Sequence, residues 1–384
     1  MNAIPHDHTA TLDLGRRLHA EVLEPMKRSF VGKDEIIDLL GLCLVGGENL
    51  FILGPPGTAK SALVHELAAR LEGRSFDYLL TRFTEPNELF GPFDLRKLRE
   101  GELLTNTEGM LPEASLVFLD ELLNANSAIL NSLLLALNEK MFRRGKESRR
   151  LKALMFVGAS NHLPEEDALK ALFDRFLLRV HCDNVAPEQL LAVLDAGWKL
   201  QRPGATPAAT LHFDAIETLQ RLVPEVDLSG CRGPYVELVQ RVRHAGIPVS
   251  DRRAVKLQRL IAASALLCGR MNARVSDLWV LKHIWDTEEQ REVLHALVSA
   301  ALAHDAASLE DHPRARAGEI ADAEEIARDL EAIATQSPQA DATEKSYLRD
   351  RLGILEGRCQ WVADGSQREF LAGRVAELWK EFQR

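Results

Sequence analysis

The most constraining feature of this chain is a four-residue apolar run, "LFIL" (50–53), that enters "GPPGTAKS" (54–61) and continues as "ALVHELAARL". The run reads as a buried strand, the glycine-rich stretch as a turn, and the segment after it as an amphipathic helix. Strand, glycine loop and helix in that order form a cradle for phosphate, because consecutive backbone N–H groups point into one concavity at a helix N-terminus. Gly54, Pro55, Pro56, Gly57, Thr58, Ala59, Lys60, Ser61 and Ala62 line that cradle. Lys60 would reach the terminal phosphates and Ser61 would place its hydroxyl on Mg²⁺. One position departs from the pattern, since Ala59 stands where glycine is expected before the lysine. Helical dihedrals at Ala59, as at the start of the following helix, would make the extra methyl group free of cost.

Further short apolar runs alternate with helical ones. "FDYLLTRF" (76–83), "ASLVFLDEL" (114–122) and "KALMFVGASN" (152–161) read as strands, "NSAILNSLLLALNEKMF" (126–142) as a helix, and "DALKALFDRFLLRV" (167–180) as a helix leading into a last strand. Upstream, residues 11–30 read as a helix, and Ile36, Ile37, Leu39, Leu40 and Leu44 recur at the spacing of a second helix stopped by Gly46-Gly47. Continuous apolar strands between helices predict a parallel sheet covered on both faces. Past about residue 186 the strand signals vanish. The expected organisation is an α/β nucleotide-binding domain over 1–185, an α-helical lid over 186–290 with a loop at 200–210, and an acidic, alanine-rich helical hairpin over 291–384.

Three more features bear chemistry. Asp120 and Glu121 end a buried strand at its C-terminal edge, where ligands bind in open α/β sheets. Asp120 can hold a magnesium-bound water beside Ser61, and Glu121 can orient and deprotonate an attacking water. Asn161, at the tip of another strand, can hydrogen-bond that water or the γ-phosphate. Arg175 carries a permanent charge suited to phosphate oxygens, with a salt bridge to Asp174 as its plainer role. Each alone has an ordinary structural explanation; their joint order and local context point to a working ATP/ADP and Mg²⁺ site.

Composition narrows the function classes. A net charge of −10 disfavours a general nucleic-acid binder, which needs a basic face. The five cysteines show no Cys-x-x-Cys pair, so reduced, buried thiols are expected rather than disulfides or zinc. Neither a secretory signal nor an apolar run of membrane-spanning length is evident, which predicts a cytoplasmic protein.

Taken together, these motifs resemble the AAA+ ATPases and, within them, the MoxR family, where alanine before the lysine is usual. "LVFLDE" is similar to Walker B, "ASN" to sensor 1, and "LFDRF" to the segment that bears the arginine finger. "VSDRRAVKLQRLIAASALL" (249–267) resembles the sensor 2 helix, with Arg252 at the sensor position and Arg253 as the alternative. "FVGKDEII" (30–37) resembles the segment lining the adenine site, which brings in Val31 and Gly32. "YLLTRFTEPNELFGPFDL" and "ASNHLPEEDALKALFDRFLLR" look like the RavA branch. The resemblance implies a five-stranded sheet in the order 5-1-4-3-2, an insert near 84–106 and a helical lid. It also implies a ring, usually a hexamer, and a partner bearing a von Willebrand factor A (VWA) domain, with chaperone-like remodelling as the activity. A nucleotide-gated scaffold with little turnover is the alternative, and a nucleic-acid motor a weaker one.

Overall fold

The computed structural model describes residues 9–185, 187–200, 211–303, 310–315, 323–336 and 365–382, with seven further positions between 348 and 359. The 200–210 loop beyond Leu200, the Ser337-Pro338 loop and Trp361 lie outside the described residues. The chain divides into two units, Met1–His312 and Pro313–Arg384.

In the first unit five strands form one parallel sheet: β1 (Leu50–Leu53), β2 (Ser75–Leu79), β3 (Leu116–Asp120), β4 (Met155–Ser160) and β5 (Leu178–His181). Their spatial order is β2-β3-β4-β1-β5, the expected 5-1-4-3-2 read from the other side. Every residue of β1 and β4 is buried, so both faces of the sheet are covered, as unbroken apolar strands require. Helix α1 (Asp34–Gly46) packs on β1 and β5, and α2 (Lys60–Arg70) packs on β3. Phe51 of β1 meets the edges of Phe173 and Phe176 at 4.9 and 5.6 Å, which ties the sheet centre to α3 (Asp167–Phe173) and the turn after it. Gly47, at φ 68°, takes the left-handed position that ends α1.

Several local boundaries differ from the sequence reading. The strand expected over 76–83 stops at Leu79, because Thr81 and Thr84 build their own turn. There Thr81 N–H donates to Thr84 Oγ1 at 2.9 Å and Thr84 N–H to the Thr81 carbonyl at 3.2 Å. The leading helix carries one π-helical turn, Leu18–Leu23, between Thr9–Arg17 and Glu24–Ser29. A two-residue parallel pairing joins Leu71–Glu72 to Leu211–His212, too short for any pattern to announce. The 84–106 insert holds two five-residue helices, Pro86–Phe90 and Leu95–Arg99. It is fastened to the basic hairpin Met141–Arg150 through Arg144, which donates to the Gly91 carbonyl and Asn87 Oδ1 and covers the Phe93 ring at 3.6 Å. Gly91 at φ 104° lies where an added Cβ would meet the Asn106 carbonyl at 1.9 Å, so the bend after Phe90 admits only glycine.

Helical segments follow the sheet. Among them α4 (Asp251–Leu267) starts from a Ser250 cap, whose Oγ accepts Arg253 N–H at 3.2 Å. Helix Glu288–Leu302, beyond the expected lid end at 290, belongs to this first unit. The second unit has its own apolar centre, in which Ile326, Leu330, Ile333, Leu348, Leu352, Leu355, Cys359, Leu371, Val375, Leu378 and Phe382 are buried together. Helices Ala323–Gln336 and Gly365–Phe382 supply the outer groups, and described positions with helical geometry between them supply Leu348, Leu352, Leu355 and Cys359. Among the described residues, helical positions thus occur in a third place between the two helices of the hairpin that the sequence suggests.

Candidate functional site

Parallel register sets the site. Leu53 pairs with Ser160, and Gly54 N–H donates to the Ser160 carbonyl at 3.1 Å, so the glycine loop and Asn161 leave the sheet side by side. β3 ends one strand further out with Asp120 and Glu121. Three strand ends therefore open into one crevice at the carboxyl edge, the position such sheets use for ligands.

Within the crevice the side chains are already linked. Lys60 is almost fully buried, and its Nζ donates to the Gly54 carbonyl at 2.6 Å, the Pro55 carbonyl at 3.0 Å and Asn161 Oδ1 at 3.0 Å. These three acceptors match the three donors of an ammonium group. Asn161 Nδ2 in turn donates to Glu121 Oε1 at 2.6 Å, so one amide bridges the lysine and the glutamate. Ser61 Oγ donates to Asp120 Oδ2 at 3.0 Å, while Asp120 Oδ1 accepts Glu121 N–H at 3.0 Å. Glu121 itself holds left-handed dihedrals, φ 50° and ψ 41°, a strained geometry that turns the chain sharply after the strand.

The loop beneath is held from below. Thr58 Oγ1 donates to the Pro55 carbonyl at 2.9 Å, and the Cys182 thiol donates to the Thr58 carbonyl at 3.1 Å. Gly54 lies so close to β5's end that an added Cβ would sit 2.3 Å from the Cys182 carbonyl oxygen. Cys182 carried no signal in the sequence beyond being a buried thiol. Ala59 corrects an expectation: its dihedrals are φ 73° and ψ 22°, left-handed rather than helical. Alternation of Gly57 (φ 85°) and Ala59 in that region curls the backbone into an N–H nest, so the alanine carries a conformational cost that a glycine there would not.

The residues present suit the groups the motif implies. Gly57 has open space around its Cβ position, room that a phosphate cradled by a loop of this kind requires. Ser61 and Asp120 offer paired hard oxygen donors, the set that Mg²⁺ takes while retaining waters.

The other singled-out residues lie elsewhere. Gly32, at φ 72°, packs so that an added Cβ would be 2.9 Å from both Gln189 Oε1 and Val185 Cγ1, and Lys33 Nζ donates to the Asp183 carbonyl. The Val31-Gly32 turn thus abuts the segment leading to the lid. Arg175 pairs with Asp174 at 3.3 Å, and its backbone carbonyl accepts Asn49 Nδ2 at 3.1 Å. Arg175 and Arg252 line one cleft with Asn138, Ser250, Arg253 and Lys256. Among the described residues, no hydrogen bond or ion pair joins either arginine to Lys60, Ser61, Asp120 or Glu121. Arg252 is exposed and donates to Asn138 Oδ1 at 3.3 Å. Arg253 is buried and fully engaged, reaching Asp286 Oδ2 at 3.1 Å, the Pro248 carbonyl at 3.4 Å and the Ile284 carbonyl.

A family model described as the MoxR domain in the MoxR-vWA-beta-propeller ternary systems matches residues 16–221, more than half of the chain. This chain belongs to the MoxR family of AAA+ ATPases. A second model, an AAA lid domain, matches residues 235–298. An uncharacterized protein of Methanocaldococcus jannaschii is 35% identical over 274 residues, covering 69% of this chain and 70% of that protein. The chaperone MoxR1 of Mycobacterium tuberculosis is 25% identical over 202 residues, 51% of each chain. Of solved structures, one described as a candidate ATPase of Cytophaga hutchinsonii shares the fold with a TM-score of 0.64 at 18% identity, covering 75% of this chain and 96% of that one. Among the described residues no helix is long and apolar enough to cross a membrane.

Proposed function

We propose that this MoxR-family chain is a Mg²⁺-dependent ATP hydrolase that acts in a ring, usually hexameric in the family, to remodel a partner protein. The observation that carries the reading is the linked set Lys60–Asn161–Glu121 beside Ser61–Asp120 at one sheet edge. A pure nucleotide binder needs the first and last of these but has no use for a carboxylate held by an amide. Lys60 exchanges one of its loop carbonyls for a phosphate oxygen. Ser61 and Asp120 hold Mg²⁺, which when bound offsets the charge of the phosphate oxygens. Glu121 Oε1 takes the proton of the attacking water, while Asn161 keeps that carboxylate oriented. Val31 and Gly32, against Val185 and Gln189, border the adenine.

Arg175 and Arg252 share a cleft that contains none of these groups, which supports their acting on a neighbouring copy's γ-phosphate. Arg253's full engagement leaves Arg252 as the sensor 2 candidate. A VWA-domain partner is supported by the description of the matching model. Kinship with the RavA branch rests on the motifs in 78–95 and 159–179, and a cytoplasmic setting on the cysteine pattern.

Steady-state ATP hydrolysis of the purified protein, beside Lys60→Ala and Glu121→Gln, at several protein concentrations tests this. Turnover in the wild type, its loss in both variants and specific activity rising with concentration are expected. A wild type that binds ATP but turns over no faster than Glu121→Gln would refute the motor and favour the scaffold.

A further inference from the structure

Arg179 is a fully buried charge in strand β5, between the buried apolar residues Leu178 and Val180. Its guanidinium reaches Asp286 Oδ1 at 3.0 Å, the Ile284 carbonyl at 3.4 Å and the Phe173 carbonyl at 3.3 Å, and it lies over the Phe173 ring at 4.4 Å. Arg253 converges on the same partners, reaching both Asp286 oxygens and the Ile284 carbonyl. Two cations thus share one carboxylate. Burial first, and Arg253 second, pull the Arg179 pKa down to about 9, which still leaves it charged at neutral pH.

The elements that meet here are those that carry the cleft arginines. Phe173 ends α3, two residues before Arg175, and Arg253 adjoins Arg252 in the first turn of α4. We infer that Asp286 is a positioning residue that holds Arg175 and Arg252 in one fixed spacing, by binding Arg179 behind the first and Arg253 behind the second. Without the carboxylate, two guanidiniums are left facing each other across the Ile284 carbonyl, and repulsion separates α4 from the end of α3. The phosphate site of the same subunit lies outside this arrangement and is untouched. The inference rests on the proposed ring reading, in which these arginines serve a neighbour.

That asymmetry gives the test. Asp286→Asn alone should lower kcat by roughly 10²-fold, the scale of an ångström-level misplacement, with the affinity for a fluorescent ATP analogue changed less than about twofold. Asp286→Glu, which keeps the charge, should recover part of the loss. Mixed with Glu121→Gln subunits, Asp286→Asn subunits should regain hydrolysis, because each lacks what the other supplies. The reference mixture, Arg175→Ala with Glu121→Gln, must recover too. If it does not, the shared-site ring fails and this inference with it. If the reference recovers but the Asp286→Asn mixture stays inactive, or if Asp286→Asn alone turns over like wild type, the positioning role is refuted and the ring stands. Should Asp286→Asn not fold, Arg253→Lys, which retains charge but loses the two-oxygen grip, is put through the same mixtures with the same expected outcomes.

Discussion

Ala59 offers the sharpest test of the phosphate-loop geometry. Its left-handed φ of 73° brings Cβ toward the following carbonyl, at a cost of about 1–2 kcal/mol that glycine does not incur. Glycine loses more backbone freedom on folding, which returns roughly 0.5–1 kcal/mol. Ala59→Gly should therefore stabilise the first unit by about 0.5–1 kcal/mol, a rise in Tm of about 1–2 °C for a unit of this size. Ala59→Val goes the other way, since a β-branched residue is a genuine outlier in this region. The alanine also begins α2, its carbonyl accepting Leu63 N–H at 3.0 Å, and precedes the buried Lys60. Forcing it out of the left-handed well would both fray that first turn and swing the lysine off its three acceptors. Ala59→Val should lose about 1–2 kcal/mol and bind a fluorescent ATP analogue at least ~10-fold more weakly. Thermal unfolding of the three proteins, followed by analogue titration, reads both effects. If Ala59→Val matches wild type in Tm and affinity, the position is not left-handed and the nest argument collapses.

Asn161→Ala removes the amide between Lys60 and Glu121 but leaves the lysine two carbonyl partners; kcat should drop by ~10²–10³ while analogue affinity falls only a few-fold, measured by steady-state and binding assays. Gly54→Ala should cost about 2 kcal/mol or more in denaturant unfolding, because the new Cβ meets a backbone carbonyl at 2.3 Å, whereas Gly57→Ala, strained by φ but surrounded by open space, should cost only about 1 kcal/mol. Burial lowers the Lys140 pKa to about 8 from its ordinary 10.5. Between those values the unfolded chain binds a proton the folded one lacks, so this group makes stability rise with pH across about 8–10.5, by at most about 3 kcal/mol. The difference in unfolding free energy between Lys140→Met and wild type should shrink accordingly over that window; a constant difference would contradict the shift.

What could be read from the sequence, and what could not, follows from the range of the forces involved. The inner strands β1, β3 and β4 announce themselves because they are buried on both faces, and that demands unbroken apolar runs such as "LFIL" and "MFVGA", whereas the edge strand β2 is exposed or half-buried along its whole length. Lys60, Ser61, Asp120, Glu121 and Asn161 stand at the ends of such runs, so finding the runs finds the crevice they share. Local rules fail where the fold supplies a competitor. Helix-start reasoning assigned Ala59 helical dihedrals, but the nest needs a reversal of the backbone just before Lys60, and that need is set by the loop as a whole. Strand propensity carried "FDYLLTRF" past Leu79, where two threonine side chains supply the backbone with other partners. Asp286 left no local mark at all. A lone aspartate after "HIW" is unremarkable until Arg179 and Arg253, 107 and 33 residues before it, are folded onto the same carboxylate. Yet one half of that triad was visible: an arginine within "FLLRV" cannot be buried without an acid and carbonyls to receive it. A charge between buried apolar neighbours in a strand is thus a demand for a distant partner, and here the partner's position ties the sheet to the lid where the two cleft arginines emerge.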